Sequence, residues 1–326
     1  MKATAPGKLI LSGEHSVVYG APAIAVAVDE RVTATFTPHS NNQLSICTAF
    51  GETSLACDQL ASLVVGLDQR YEEFLAGEIL IADLLEYPAQ LLFYTLAQSG
   101  FIQSGSVQIQ SSIPVGAGMG SSAAVIAALL RLTRQNNLQL EAFCQQVQYC
   151  ERLQHGRGSI IDAAAVVYGG AVSVEQGRVR PLPLYLGGGW YRYHTGTPIC
   201  STGETVAWVR QHWAEDSALW SGFSEVTKQL ANSLDDPAAT LSLIRQNHSL
   251  LETIGVVPES VAALVQQIEQ AGGAAKICGA GAHTGDAAGQ LLVYLPEPIV
   301  APLEQWLGIQ LHPIQQAARG AERAEN

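Results

Sequence analysis

The spacing of apolar and polar positions predicts a protein of mixed α and β structure. Across residues 23–36 (AIAVAVDERVTATF) an unbroken apolar run gives way to alternation at Asp29-Glu30, which predicts one strand or a pair of strands. Val107 and Ile109 alternate with polar partners, so residues 106–113 read as a strand, while residues 84–98 carry a helical period. A glycine-rich turn follows that strand and leads into AAVIAALLRLTRQ, a helix predicted over 123–135 with no charge before Arg131. A second helix is predicted over 140–153. Residues 170–182 read as a hairpin with Gln176-Gly177 in its turn.

The texture changes at Gly187-Gly188-Gly189. Beyond it the pattern predicts helices over 217–234, 237–254 and 258–271. A glycine-rich turn over 279–285, a strand over 290–295, a helix over 298–307 and a last strand over 309–314 follow. The polar tail AARGAERAEN is expected to fray. The glycine triplet therefore divides the chain into two expected domains, residues 1–187 and 188–326.

Composition narrows the function classes. Of 326 residues, 48% are hydrophobic and 14% charged, a globular balance that excludes a mostly disordered chain. No stretch reaches the roughly 18 apolar residues of a membrane span, and residues before Glu14 lack the apolar core of a signal peptide, so the expected location is cytoplasmic. Seventeen Lys and Arg against 29 Asp and Glu give a net charge of -12, which argues against a nucleic-acid surface. An anionic substrate would need a local positive field built from a lysine, helix ends or a metal. The six cysteines form no CxxC pair, so they read as reduced thiols rather than zinc ligands.

The central chemical signal is Pro114-Val115-Gly116-Ala117-Gly118-Met119-Gly120-Ser121-Ser122. Glycines at alternate positions let the backbone approach a phosphate, and the unpaired N–H groups of the following helix supply donors at its positive end. A serine at the helix start can cap it or offer a hydroxyl to Mg²⁺. No Lys-Ser/Thr follows the last glycine, so this is not a Walker A loop. The acidic residue of a dinucleotide fold is missing from QNNLQL downstream, which sets a nicotinamide dehydrogenase aside. Two other segments bear on the site. Pro6 to Gly20 (PGKLILSGEHSVVYG) places Lys8, Glu14 and His15 around a short apolar run, and KICGAG over 276–281 is a second glycine turn. Asp162 lies inside the apolar stretch IIDAAAVV, where a carboxylate needs a cation or hydrogen-bond partner, and Lys8 is the natural candidate.

These three segments, in this order, resemble the GHMP kinase superfamily. The first is most similar to the mevalonate kinase family, since galactokinases usually carry an arginine and GEHTDY there. The likeness extends through Glu151-Arg152-Leu153-Gln154-His155-Gly156 to Asp162 and Tyr168-Gly169-Gly170, and spans the chain. It implies an α+β and α/β two-domain GHMP kinase fold, with an N-terminal domain like ribosomal protein S5 domain 2, a C-terminal ferredoxin-like domain and the active site in the cleft between them. It also implies ATP- and Mg²⁺-dependent phosphorylation of the 5-hydroxyl of mevalonate in isoprenoid biosynthesis.

By the same resemblance Gly116, Ala117, Gly118, Met119, Gly120, Ser121 and Ser122 would wrap the ATP phosphates, with Ser111 near the nucleotide. Ser122 and Glu151 would hold Mg²⁺, Ser121 competing closely with Ser122. Asp162 would be the base beside the substrate hydroxyl, Lys8 close to it, and Lys8, Glu14, His15 and Asp162 would bind the acceptor. Superfamily members often dimerise, and the resemblance allows a prenyl diphosphate as feedback inhibitor. Two loops depart from the family pattern. GRGSIID stands where NPSG(I/V)D is usual, and CGAGAHTGDAAG has Cys278 where threonine is usual. Phosphomevalonate or a sugar as acceptor, or a non-catalytic nucleotide sensor on the same scaffold, remain alternatives.

Overall fold

The computed structural model describes residues 1–101, 103–114, 116–133, 139–156, 158–296 and 299–324. Among these, strands β1 (Lys2–Ser12), β2 (Ala23–Pro38), β3 (Gln43–Thr48), β4 (Gly51–Ala56), β5 (Gly105–Ser111), β6 (Ala171–Glu175) and β7 (Arg178–Leu182) build a first sheet. The order β1-β2-β5-β3-β4 runs across it, and the β6–β7 hairpin branches from β2. All pairs are antiparallel except β3 with β5. A second, antiparallel sheet has the order β11-β8-β10-β9, from β8 (Trp190–His194), β9 (Ala274–Cys278), β10 (Gln290–Tyr294) and β11 (His312–Pro313). A short β12 (Glu322–Arg323) returns to β1.

Helices α1 (Leu60–Ala76), α2 (Ala89–Gln98), α3 (Ser121–Thr133), α4 (Leu140–His155) and α5 (Ile161–Tyr168) accompany the first sheet, with α3 and α5 lying on β1 and β2. Helices α6 (Thr202–Trp213), α7 (Ser217–Ala231), α8 (Pro237–Thr253), α9 (Glu259–Gln270) and α10 (Val300–Leu307) follow, and α8 and α9 pack on β9. The two sheets are joined where α7 meets β1 and β2, and where Arg192 of β8 pairs with Glu30 of β2 at 2.7 Å.

The change of pattern inside β2 has a structural cause. Residues 23–26 pair with β6 and are all buried, whereas residues 32–38 pair with β5 and alternate buried and partly exposed as far as Phe36. One long strand therefore replaces the possible pair. The hairpin turn forms as expected: Gln176 (φ 50°) and Gly177 (φ 74°) are both left-handed, as a tight primed turn requires. The helix expected from residue 84 begins at Ala89, with Pro88 at its N-cap. Part of the helix expected to 135, the start of that expected from 298, Val115 and Arg157 lie outside the described residues.

The hydrophobic pattern does not reveal β1, because Pro6, Gly7 and Lys8 interrupt it. The strand runs through them against β2, whose extra residues Asp29 and Glu30 bulge out opposite the Pro6–Gly7 step, and a second irregularity falls between Ile10 and Ser12. Bulges re-aim side chains, and here Lys8 sits just past the first.

The tail, expected to fray, is instead part of the first sheet. Ala317 N–H donates to the Ala27 carbonyl at 2.9 Å, Ala321 N–H to Val166 at 2.8 Å, and the buried Arg131 donates Nε–H to the Ala321 carbonyl at 3.1 Å. These contacts use backbone groups, so the polar composition of the tail gives no sign of them. Gly320 makes the closest approach: a Cβ there would lie 2.0 Å from the Val167 carbonyl oxygen. Gly320→Ala is expected to lower the unfolding free energy by about 2–3 kcal/mol through this overlap, as read by urea denaturation.

Candidate active site

The site begins with the conformation of the glycine turn. Gly116, Gly118 and Gly120 have φ of 71°, 74° and 67°, left-handed values that glycine alone adopts at little cost. The residues between them, Ala117 and Met119, are buried. The turn is thus pinned to the core at alternate positions while glycine backbone faces outward, and α3 starts at Ser121 with its first N–H groups at the same place. A Cβ on Gly120 would lie 2.7 Å from Lys8 Cγ, and one on Gly118 would lie 3.1 Å from the Cys278 carbonyl oxygen. The first glycine turn is therefore fitted between Lys8 and the end of β9.

Lys8 is only 3% exposed, and its Nζ contacts Asp162 Oδ1 at 3.0 Å and the Gly118 carbonyl at 3.0 Å. Its backbone N–H also donates to the Met119 carbonyl at 2.9 Å. Burial pulls the Lys8 ammonium toward its neutral form, but its neighbours, Asp162 above all, outweigh this and hold it above its ordinary value. Asp162 stands in the first turn of α5, where the helix's positive end favours a carboxylate, and it is the only residue of residues 161–167 that is not buried.

Glu151 lies on the apolar face of α4, at helical spacing from Phe143, Cys144 and Val147. Its carboxylate has no hydrogen-bond partner among the described residues, and burial, reinforced by Asp162 and opposed by Lys8, raises its pKa far above the carboxylate range. Such a group calls for a cation. Ser122 Oγ donates to Gln154 Oε1 at 2.8 Å, and Gln154 is three residues from Glu151 on the same helix, so the hydroxyl and carboxylate approach one region. Oxygen donors of this kind suit a hard divalent ion such as Mg²⁺. Ser121 opens α3 beside Ser122.

The other predicted residues take separate places. Ser111 closes a local turn, accepting from Ile113 N–H at 3.0 Å and donating to the Ile113 carbonyl at 3.2 Å. His15 is buried and shares a 2.8 Å bond between Nε2 and the Ala280 carbonyl. Burial lowers its pKa to about 4, so the ring is neutral at pH 7, Nε2 carries the hydrogen, and Nδ1 is left as an acceptor. Glu14 is fully buried and pairs with Lys276 rather than with Lys8. Sequence reasoning gave Lys276 no role. The available signal was a lysine inside the otherwise apolar AAKIC, since a buried lysine needs a partner.

Comparison with known proteins gives the family. Residues 86–170 match the family model described as GHMP kinases N terminal domain. The mevalonate kinase of Pyrococcus horikoshii is 34% identical over 304 residues, covering 86% of this chain and 85% of the relative. That of Thermococcus onnurineus is 35% identical over 304 residues and 86% of each chain. The chain belongs to the mevalonate kinase family. It is an ATP-dependent kinase with the mixed α/β two-domain architecture of the GHMP kinases. The crystal structure of the Methanococcus jannaschii mevalonate kinase superposes with a TM-score of 0.79 at 17% identity, covering 97% of this chain and 98% of that one. No helix among the described residues is long and apolar enough to cross a membrane.

Two histidines of this mevalonate kinase family member give its stability a pH signature. His15 and His248 both have pKa values lowered to about 4, in each case first by burial. Each takes up a proton near pH 6.5 when unfolded and only near 4 when folded, so stability present above 6.5 is lost as the pH falls toward 4. Each is expected to contribute a loss of up to about 3 kcal/mol over that window. Urea unfolding at pH 7 and pH 4.5 should show His15→Gln losing less than the unsubstituted protein.

Proposed function

We propose that the chain is a mevalonate kinase, transferring the γ-phosphoryl group of ATP to the 5-hydroxyl of (R)-mevalonate. The observation that carries the reading is the Lys8–Asp162 ion pair at the foot of the glycine turn, with Glu151 beside it. Phosphoryl transfer needs alignment and charge neutralisation more than covalent chemistry, and this arrangement offers both. Residues 116–122 cradle the ATP phosphates with backbone N–H groups, and Ser111 borders the nucleotide. Asp162 Oδ1 orients the acceptor hydroxyl and takes its proton, while the Lys8 ammonium, 3.0 Å away, offsets the charge that develops on the hydroxyl oxygen.

Ser122 and Glu151 would hold Mg²⁺, which when bound would supply charge neutralisation for the transfer. Neutral His15, with Nδ1 as an acceptor, suits a second hydroxyl of the acceptor. Residues 1–187 would form the ATP-binding unit and 188–326 the second, closing the acceptor side through residues 278–289. Dimerisation and inhibition by a prenyl diphosphate belong to the same reading.

The test is ADP release from Mg-ATP with mevalonate, 5-phosphomevalonate, galactose and homoserine. Turnover is expected on mevalonate alone, and Asp162→Asn should lower kcat by at least about 100-fold. Preference for another acceptor would reject mevalonate and point to the divergent residues 278–289. ATP binding without turnover on any acceptor would favour a sensor. Glu151→Gln should raise the Mg²⁺ concentration needed for half-maximal rate. In the unsubstituted enzyme that requirement should fall as the pH rises toward 8, because the metal binds the ionised carboxylate.

A further inference from the structure

Lys276 is among the largest fully buried side chains, on a β9 whose five residues are all buried. Its ammonium touches three acceptors: Glu14 Oε1, the Ile277 carbonyl at 2.8 Å and the Ile10 carbonyl at 3.3 Å. Two residues on, Cys278 faces the same point of β1. Ile10 N–H donates to Cys278 Sγ at 3.0 Å, and the thiol lies 3.4 Å from the Ile10 carbonyl. Ile10 is two residues from Lys8, and the turn carrying Glu14 and His15 follows directly after the second irregularity of β1. His15 is held by Ala280, four residues beyond Lys276. Both ends of the Lys8-to-His15 segment are thus fastened to one stretch, residues 276–280, by side chains reaching across more than 260 positions of sequence.

The pair is an odd choice for stability alone. A sealed ion pair seldom outperforms a well-packed apolar pair. Here the second oxygen of Glu14 is buried with no partner. What the ammonium provides that an apolar side chain cannot is three directed bonds that fix the turn relative to β1.

We propose that Lys276 is a positioning residue for the acceptor half of the site, acting through Glu14 and the Ile10 carbonyl to set His15 at a fixed place relative to Lys8. The inference rests on the reading above that the acceptor sits between Asp162 and His15. The glycine turn meets the end of β9 through the Cys278 backbone, but buried Ala117 and Met119 pin it to the core, so the nucleotide half should depend little on the Lys276 side chain.

The experiment is a cycle of Lys276→Met, Glu14→Gln and the double variant, read by steady-state kinetics, thermal melting and amide hydrogen exchange of the full chain. Lys276→Met should raise the KM for mevalonate at least about tenfold while the KM for ATP stays within about twofold. The double variant should do no more harm to the mevalonate KM than the worse single change, because the two residues act as one unit. Without substrate, exchange in residues 11–18 should quicken at least about tenfold in Lys276→Met, with residues 27–35 unchanged. Exchange decides the anchoring whatever the acceptor is. A wild-type enzyme idle on mevalonate, with residues 11–18 loosened in the variant, would reject the proposed acceptor and keep the anchor.

Should Lys276→Met alone not fold, the double variant, which leaves no lone buried charge, carries the same readouts. Unchanged exchange, equal rises in both KM values, additive losses, or a double variant that does not fold would each overturn the proposal and leave the pair a structural one.

Discussion

A strand with no neighbour along one edge must satisfy its backbone groups elsewhere, and in this protein the site is built on how β1 meets that demand. β12 covers only Ala3 and Thr4 of that edge. Further along, Lys8 N–H finds the Met119 carbonyl, and Ile10 finds Cys278 and Lys276. The edge thereby gathers the glycine turn and the second sheet onto one line. Because buried backbone groups cannot be left unpaired, these contacts are obligatory.

The same line explains why charge is concentrated so deeply in an acidic protein. Lys8 lies among two carboxylates and a carbonyl, with the positive ends of α3 and α5 directed at the same region. The net charge of -12 would repel ATP at long range. Local field, strengthened by low dielectric, has to overcome it at short range. Glu151, buried beside Asp162, is the group of the set whose ionised form is least favoured.

Much of this was legible in the chain itself. Helices with a clear period, such as α3, α4, α8 and α9, and the β6–β7 hairpin follow from local pattern, and the glycine turn gives itself away by spacing alone. Lys8 with Asp162 followed from the cost of burying a carboxylate in IIDAAAVV. Other features were hidden for physical reasons. β1 is masked by Pro6 and Gly7, which break its apolar run where β2 bulges. α1 buries only Leu60, Leu67 and Tyr71, too few to print a strong stripe. Lys276 and the tail act through partners far away in sequence, and no local period records such contacts.

The return of residues 315–324 to the first sheet has a consequence for the order of events in synthesis. That sheet begins with residue 2 but receives its outer strand, β12, from residues 322–323. The same late segment supplies the Ala321 carbonyl to Arg131, and it caps the backbone of α5, the helix whose first turn carries Asp162. While the chain is still being made, the earlier residues can collapse, yet the layer that carries Asp162 lacks its final strap. The second sheet, made from residues 190–313, is complete before that strap arrives. The support beneath α5 is therefore closed only once residues 317–321 have been made, long after α5 itself.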